Sequence, residues 1–123
     1  MGTFLKENAE YFEKKAKEAY LEKKYKFVLF FVEQSIQLYL KYILFKNFGE
    51  YPKTHKIIEL INELKELNED FFNFYEQFSD SFDLIEEAYI TARYLDKEYS
   101  EKTARKALEV LNEFKRRFEK WLE

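Results

Sequence analysis

Three groups of side chains in this sequence carry atoms that could recognise or transform a ligand. The first is a polar stripe, Glu33, Gln34, Gln37 and Lys41, set in the most apolar stretch of the chain, YKFVLFFVEQSIQLYLKYILFKNF at 25–48. At about 100° per residue these four, with Lys26, fall within roughly a quarter to a third of a turn of one helix. Glu33, Gln37 and Lys41 follow one another at i, i+4 and i+8, so their side chains can meet. The second group is Arg93 with Tyr94, closing an Ala-Arg-Tyr run. A guanidinium is a planar fork suited to a phosphate or carboxylate. The third is His55, the one histidine in the chain. A histidine with no second ligand beside it more often packs near a helix start than holds a metal.

Both the stripe and Arg93 fall where the pattern expects burial, and buried Lys and Arg are costly unless paired. Two uses follow. A hydrogen-bonded seam could orient helices or two copies of the chain. Alternatively, the same residues form a cleft for a nucleotide, an RNA or a partner chain, with Arg93 supplying anion recognition.

Other chemistries lack their residues. There is no Cys, which removes disulfides, thiolate metal sites and thiol nucleophiles. Two glycines, neither in a motif, leave no phosphate-cradling loop. A Ser/His/Asp triad has no supporting local signature. Asp83, Glu86 and Glu87 lie close together, but no Glu-x-x-His pair accompanies them, so neither metal nor cofactor is expected. The net charge of −3 argues against whole-protein attraction to nucleic acid and leaves only a local patch for such contact.

The elements that must position these residues are helices. The chain has 123 residues, the size of one domain spanning 1–123, and is 46% hydrophobic and 20% aromatic. With two Gly and one Pro it has little turn chemistry for a sheet. The expectation is an all-α, up-and-down bundle of about five helices. The first runs from an N-cap at Thr3 to about Leu21, burying Phe4, Tyr11 or Phe12, Ala16, Ala19 and Tyr20. A break at 22–24 is short enough to pair it antiparallel with the central helix, Tyr25 to Phe48, which Gly49 and Pro52 end. Thr54 caps a helix reaching about Leu67, with His55 in its first turn. The stretch NEDFFNFYEQFSDSFD holds a short helix ending near Ser79, then a cap at Asp80 or Ser81. A further helix from about Phe82 to Tyr94 or Leu95 buries Leu84, Ile85, Ala88, Tyr89 and Ala92. Ser100 caps the last helix, whose apolar stripe runs from Ala104 to Leu122.

The basic run Lys14, Lys15, Lys17, Lys23 and Lys24 reads as a solvated outer face, with contact to an acidic partner as the lesser option, and the cations of the last helix as a solvated, salt-bridged surface, with a phosphate-binding patch as the alternative. The start MGTFLKENAE has no signal-peptide apolar region and fails the myristoylation pattern at Lys6. The unbroken apolar run 27–32 is far short of the roughly 20 residues of a membrane span. A soluble cytoplasmic protein is expected. Abundant Glu, Lys and Tyr with no Cys suggest a thermophilic source.

The same residues carry a family resemblance. FVEQSIQLYLKYIL is similar to the second-helix signature of HEPN (higher eukaryotes and prokaryotes nucleotide-binding) domains, Gln-Gln-Ala-x-Glu-Lys-x-x-Lys-x-x-Leu. Gln34, Ser35 and Lys41 match its second Gln, its small residue and its last Lys; Glu33, Gln37 and Leu38 depart from its Gln, Glu and Lys. Thr54 to Leu60 resembles the family's Thr-His-x-Leu-x-x-Leu segment, with His55 in place. Ala92-Arg93-Tyr94 resembles the Ala-Arg-Tyr that precedes a loop and the final helix. The resemblance implies a small helical bundle, usually a homodimer, often paired with a minimal nucleotidyltransferase in toxin–antitoxin-like modules. Many members are metal-independent ribonucleases using Arg-x(4–6)-His. Here Glu98, Tyr99 and Ser100 occupy the required offsets from Arg93, and His55 precedes every Arg.

The resulting expectation is a non-catalytic module, in which Gln34, Gln37 and Lys41 form a polar floor and Arg93, Tyr94 and His55 contact a nucleotide, RNA or partner. The alternatives are a divergent ribonuclease using Arg93 with Tyr94, Tyr99 or His55, and a purely structural dimerisation module.

Overall fold

In a computed structural model, which describes residues 2–123, the stretch 25–48 is the axis of the molecule. It forms α2 (Tyr25–Phe48), and thirteen of its 24 residues are buried, so it has neighbours on most sides. Gly49 ends it in the left-handed region at φ 78°, where a glycine pays no Cβ penalty, and its N–H returns to the Phe45 carbonyl at 2.8 Å. Around α2 pack α1 (Thr3–Leu21), α3 (Ile57–Leu64), α5 (Ser79–Tyr94) and α6 (Glu101–Arg117); α4 (Asp70–Gln77) bridges α3 and α5, and a short 3₁₀ helix, Glu119–Leu122, follows α6. The described residues contain helices and no strand. By length and composition α2 could cross a membrane, yet 72% of its most apolar window is buried inside the bundle, which makes it a core helix.

Helix α1 lies against α2 through small residues. Ala9, Ala16 and Ala19 are buried, and the Ser35 hydroxyl donates to the Ala9 carbonyl at 2.8 Å. The buried face is Leu5, Ala9, Glu13, Ala16 and Ala19; Phe4, expected inside, is about half exposed, and of the alternatives Tyr11 and Phe12 it is Phe12 that is partly buried while Tyr11 is exposed. Thr3 is not the cap. Gly2 occupies that position at φ 83°, pressed so closely on the Phe45 ring that a Cβ would collide with it.

Helix α3 is shorter than its periodicity implies, ending at Leu64. Lys56 stands at its N-cap position, and the Thr54 hydroxyl instead accepts the Lys56 N–H at 3.1 Å and contacts Glu59. His55 therefore precedes the helix. The Glu86 carboxylate on α5 faces the helix start, where the Ile57 and Ile58 N–H groups favour its charge, and it accepts from the Tyr75 hydroxyl at 2.8 Å.

Only Phe78 separates α4 from α5, so α5 begins three residues before the expected Phe82, with no side-chain cap at Asp80 or Ser81. Phe78 packs on Phe74, 4.9 Å between centroids, within an aromatic cluster joining Phe71, Phe74, Phe82, Phe114 and Phe118. Leu84, expected inside, is 36% exposed and Tyr89 is half-buried. Ser100 does cap α6, accepting the Thr103 N–H at 3.1 Å. The Asp70 carboxylate accepts from Arg117 Nε at 3.0 Å, tying α4 to the end of α6.

Candidate functional site

The polar stripe forms a continuous chain of hydrogen bonds inside α2. Glu33 is 1% exposed. Its Oε1 accepts from Gln34 Nε2 at 2.8 Å and its Oε2 from Gln37 Nε2 at 2.9 Å. Gln37 Oε1 in turn accepts from Lys41 Nζ at 3.1 Å, and the ammonium lies 5.8 Å from the Tyr51 ring centroid. Gln37 Nε2 also reaches the His55 carbonyl at 3.5 Å, which joins the stripe to the segment ahead of α3.

This chain has no direct carboxylate–ammonium bond, and its electrostatics reflect that. Burial raises the Glu33 carboxyl from its ordinary 4.5 to about 7, the Gln34 and Gln37 amides offset part of that, and the nearby Glu86 adds to it. Burial likewise depresses the Lys41 ammonium, with Glu33 acting in the opposite sense.

At the outer end of α5 lies a second cluster. Arg93 is exposed rather than buried, and Tyr94 is 71% exposed. The expectation of core positions for this pair fails because α5 turns its Ile85, Ala88 and Ala92 face inward. Arg93 Nε donates to the Tyr89 carbonyl at 2.9 Å, and the guanidinium carbon lies 4.5 Å from the Tyr89 ring, 5.0 Å from Tyr94 and 5.3 Å from Phe30. Among the described residues no carboxylate forms an ion pair with it. The His55 ring stacks on Tyr89 at 5.2 Å, and Phe30 stacks on Tyr89 at 6.4 Å.

His55 is thus the junction: its carbonyl meets Gln37 of the stripe and its ring meets Tyr89 of the cluster around Arg93, which links the buried stripe of α2 to the exposed Arg93 and Tyr94 through the 49–56 segment. A guanidinium among three aromatic rings, without a carboxylate, can take a phosphate while a base stacks beside it. Sequence reasoning missed Phe30 and Tyr89 as members. Each lies one helical turn from a named residue, Phe30 from Gln34 and Tyr89 from Arg93, and that spacing was the available signal.

Tyr99 occupies one of the offsets where Arg-x(4–6)-His would place its histidine, and it faces inward. It is 8% exposed, its hydroxyl lies 2.8 Å from Thr91 Oγ1 and donates to Glu87 at 2.7 Å, and burial pushes it up to about 12. Lys97 closes the same cluster on Glu87 at 2.8 Å. A tyrosine so engaged holds the 95–99 loop and does not reach Arg93. One surface cavity of about 690 Å³ opens between Phe48, Tyr51 and Glu63, on the Tyr51 side of the 49–56 segment, and another of about 400 Å³ lies beside Tyr39 and Lys115. Among the described residues no three His, Asp or Glu side chains converge as a metal site.

A family model described as HEPN domain matches residues 3–121. No curated protein and no solved structure matches the chain.

Proposed function

The chain belongs to the HEPN domain family, and from that premise we propose that it binds a nucleotide or single-stranded RNA on the Arg93 platform without cleaving it. The observation that carries this reading is the Arg93 guanidinium, 4.5–5.3 Å from three aromatic rings and free of an ion pair among the described residues. Phosphate takes the guanidinium edge, a base stacks on exposed Tyr94, and Gln34 lies one turn beyond Phe30 to meet polar edges. The Arg-x(4–6)-His pair is absent from the sequence, so the platform recognises without the family's proton-transfer partner. Calorimetric titration of AMP and of a short single-stranded RNA onto wild type and Arg93→Ala tests this. Saturable binding lost in the variant is the expected result; equal, negligible binding by both would sink it.

One observation favours a second reading, a divergent ribonuclease. His55 and Arg93 flank the same Tyr89 ring, so an acid–base group and an anion-binding group are neighbours through the fold rather than the sequence. RNA left intact after hours with purified protein would dismiss this reading; cleavage abolished by His55→Ala would replace the binding-only proposal with it.

We also propose a cytoplasmic homodimer that partners a minimal nucleotidyltransferase in a toxin–antitoxin-like module. The support is an apolar face on α2, where Phe27, Phe31 and Leu38 are half-buried and Phe31 stacks on Phe12, itself edge-on to exposed Tyr11. Light scattering should give twice the mass of one chain.

A further inference from the structure

Within the stripe, the two glutamine amides that hold Glu33 are not equally free. Gln37 is fixed at both ends: Nε2 faces Glu33 and the His55 carbonyl, while Oε1 holds the Lys41 ammonium. Turning this amide round would set its NH₂ against Lys41. Gln34 is fixed at one end only, by Nε2 to Glu33 Oε1. Its Oε1 has no protein partner, yet no buried side-chain N or O among the described residues lacks one, so this oxygen meets solvent. Gln34 follows Phe30 by one turn of α2, and Phe30 is one of the three rings around the Arg93 guanidinium, 5.3 Å from it.

An ionised carboxylate only accepts, and both Glu33 oxygens accept from amide nitrogens here. A protonated carboxyl must donate from one oxygen, and an NH₂ facing that oxygen offers it no acceptor. The less constrained amide turns. Gln34 Oε1 then receives the Glu33 proton, and its NH₂, with two donors, swings to the solvent side. We propose that proton binding at Glu33 turns Gln34 from an acceptor into a donor at the platform edge, so that phosphate-bearing ligands bind more tightly when Glu33 is neutral. Two effects act together: an outward NH₂ offers a hydrogen bond to an anion, and a buried negative charge near the site disappears. The inference rests on the nucleotide-binding reading for its ligand, not for the amide movement itself.

The surroundings place the transition in an accessible range. Burial and Glu86 on α5 oppose Glu33 ionisation, the Gln34 and Gln37 amides and Lys41 on its own helix favour it, and the balance lies at about 7. His55 from the segment before α3 and Arg93 on α5 are the other ionisable groups of the patch. Glu86 has a different task, accepting from the Tyr75 hydroxyl beside the start of α3.

The test uses the whole chain and its near-isosteric variant Glu33→Gln, which retains an amide at the same depth and cannot titrate. The Gln34 side-chain NH₂ resonances of the ligand-free protein should move with an inflection near neutrality in wild type and stay put in Glu33→Gln. AMP, the probe, should bind about tenfold more tightly at pH 6 than at pH 8 in wild type, beyond any change in the variant, the size of one charge-assisted hydrogen bond. His55 is common to both proteins, so its own protonation cancels in the comparison. Gln34→Met should remove the same excess. Amide resonances that ignore pH, or move equally in Glu33→Gln, would overturn the switch. Equal pH dependence of AMP binding in the two proteins would overturn its link to the ligand. Moving resonances with no AMP bound at any pH would uphold the switch and fault the nucleotide-binding reading instead.

Discussion

Among the described residues two glutamates are buried, Glu13 on α1 and Glu33 on α2, and they have opposite electrostatic fates. Glu13 is 7% exposed and accepts from Lys115 at 2.8 Å and the Tyr39 hydroxyl at 3.0 Å, with Lys17 at 3.2 Å. Burial works against its charge, but these hydrogen bonds and the Lys115 charge hold it below the usual carboxylate range. Glu33 is deeper, meets two neutral amides, and is raised to about 7. The difference is the partner: a cation beside a buried carboxylate repays much of its desolvation, whereas amides repay only part. Glu13 therefore clamps α1 to α6 over the whole neutral range, while Glu33 retains a charge that solution conditions can change.

The largest test of this contrast is Glu33→Gln. The folded-state value of Glu33 lies above its unfolded value, so its contribution is fully present below pH 4.5 and is lost as pH rises through about 7. Urea unfolding at pH 8 should find the variant more stable by about 3 kcal/mol, converging with wild type near pH 4. Supplying the missing cation, Gln34→Lys, should make Glu33 behave like Glu13 and flatten the stability slope between pH 5 and 7. Glu13→Gln should cost about 1–2 kcal/mol at neutrality, a figure tempered by the solvent around Lys115 and Lys17. Its sign is the reverse: the folded-state value of Glu13 is depressed, so its stabilisation exists above pH 4.5 and disappears as acid protonates it. The smallest effect on folding belongs to Arg93→Ala, under about 1 kcal/mol by thermal unfolding, because the contacts it loses are exposed.

The parts of this fold legible in the sequence are those with a local physical signal. Helix α2 runs from Tyr25 to Phe48 as expected because Gly49 supplies the left-handed stop, and Ser100 caps α6 because its hydroxyl reaches Thr103 three residues on. What misled was decided at a distance. Thr54 looks like a cap, but Lys56 stands at that position and the carboxylate facing the start of α3 is Glu86, from another helix. Phe4 looks like core, but α1 approaches α2 along its alanines and leaves that ring outside. Phe78 could have closed a loop, but its packing on Phe74 lets α5 begin at once. The same division holds for the patch. The i, i+4 spacing of Glu33, Gln37 and Lys41 foretold their hydrogen bonds. Spacing could not foretell that the 49–56 segment would lay His55 on Tyr89, nor that Arg93 would end at the surface among rings. The family match over 3–121 is in keeping with the resemblance read from these short motifs.

The central claim is that the Arg93 platform recognises phosphate and base together. Calorimetric titration of AMP onto wild type and Arg93→Ala at pH 6 tests it most directly. The account predicts saturable binding to wild type and a loss of at least about tenfold in the variant, the size of one charge-assisted hydrogen bond. Equal affinity in the two proteins, or no binding to either, would contradict it.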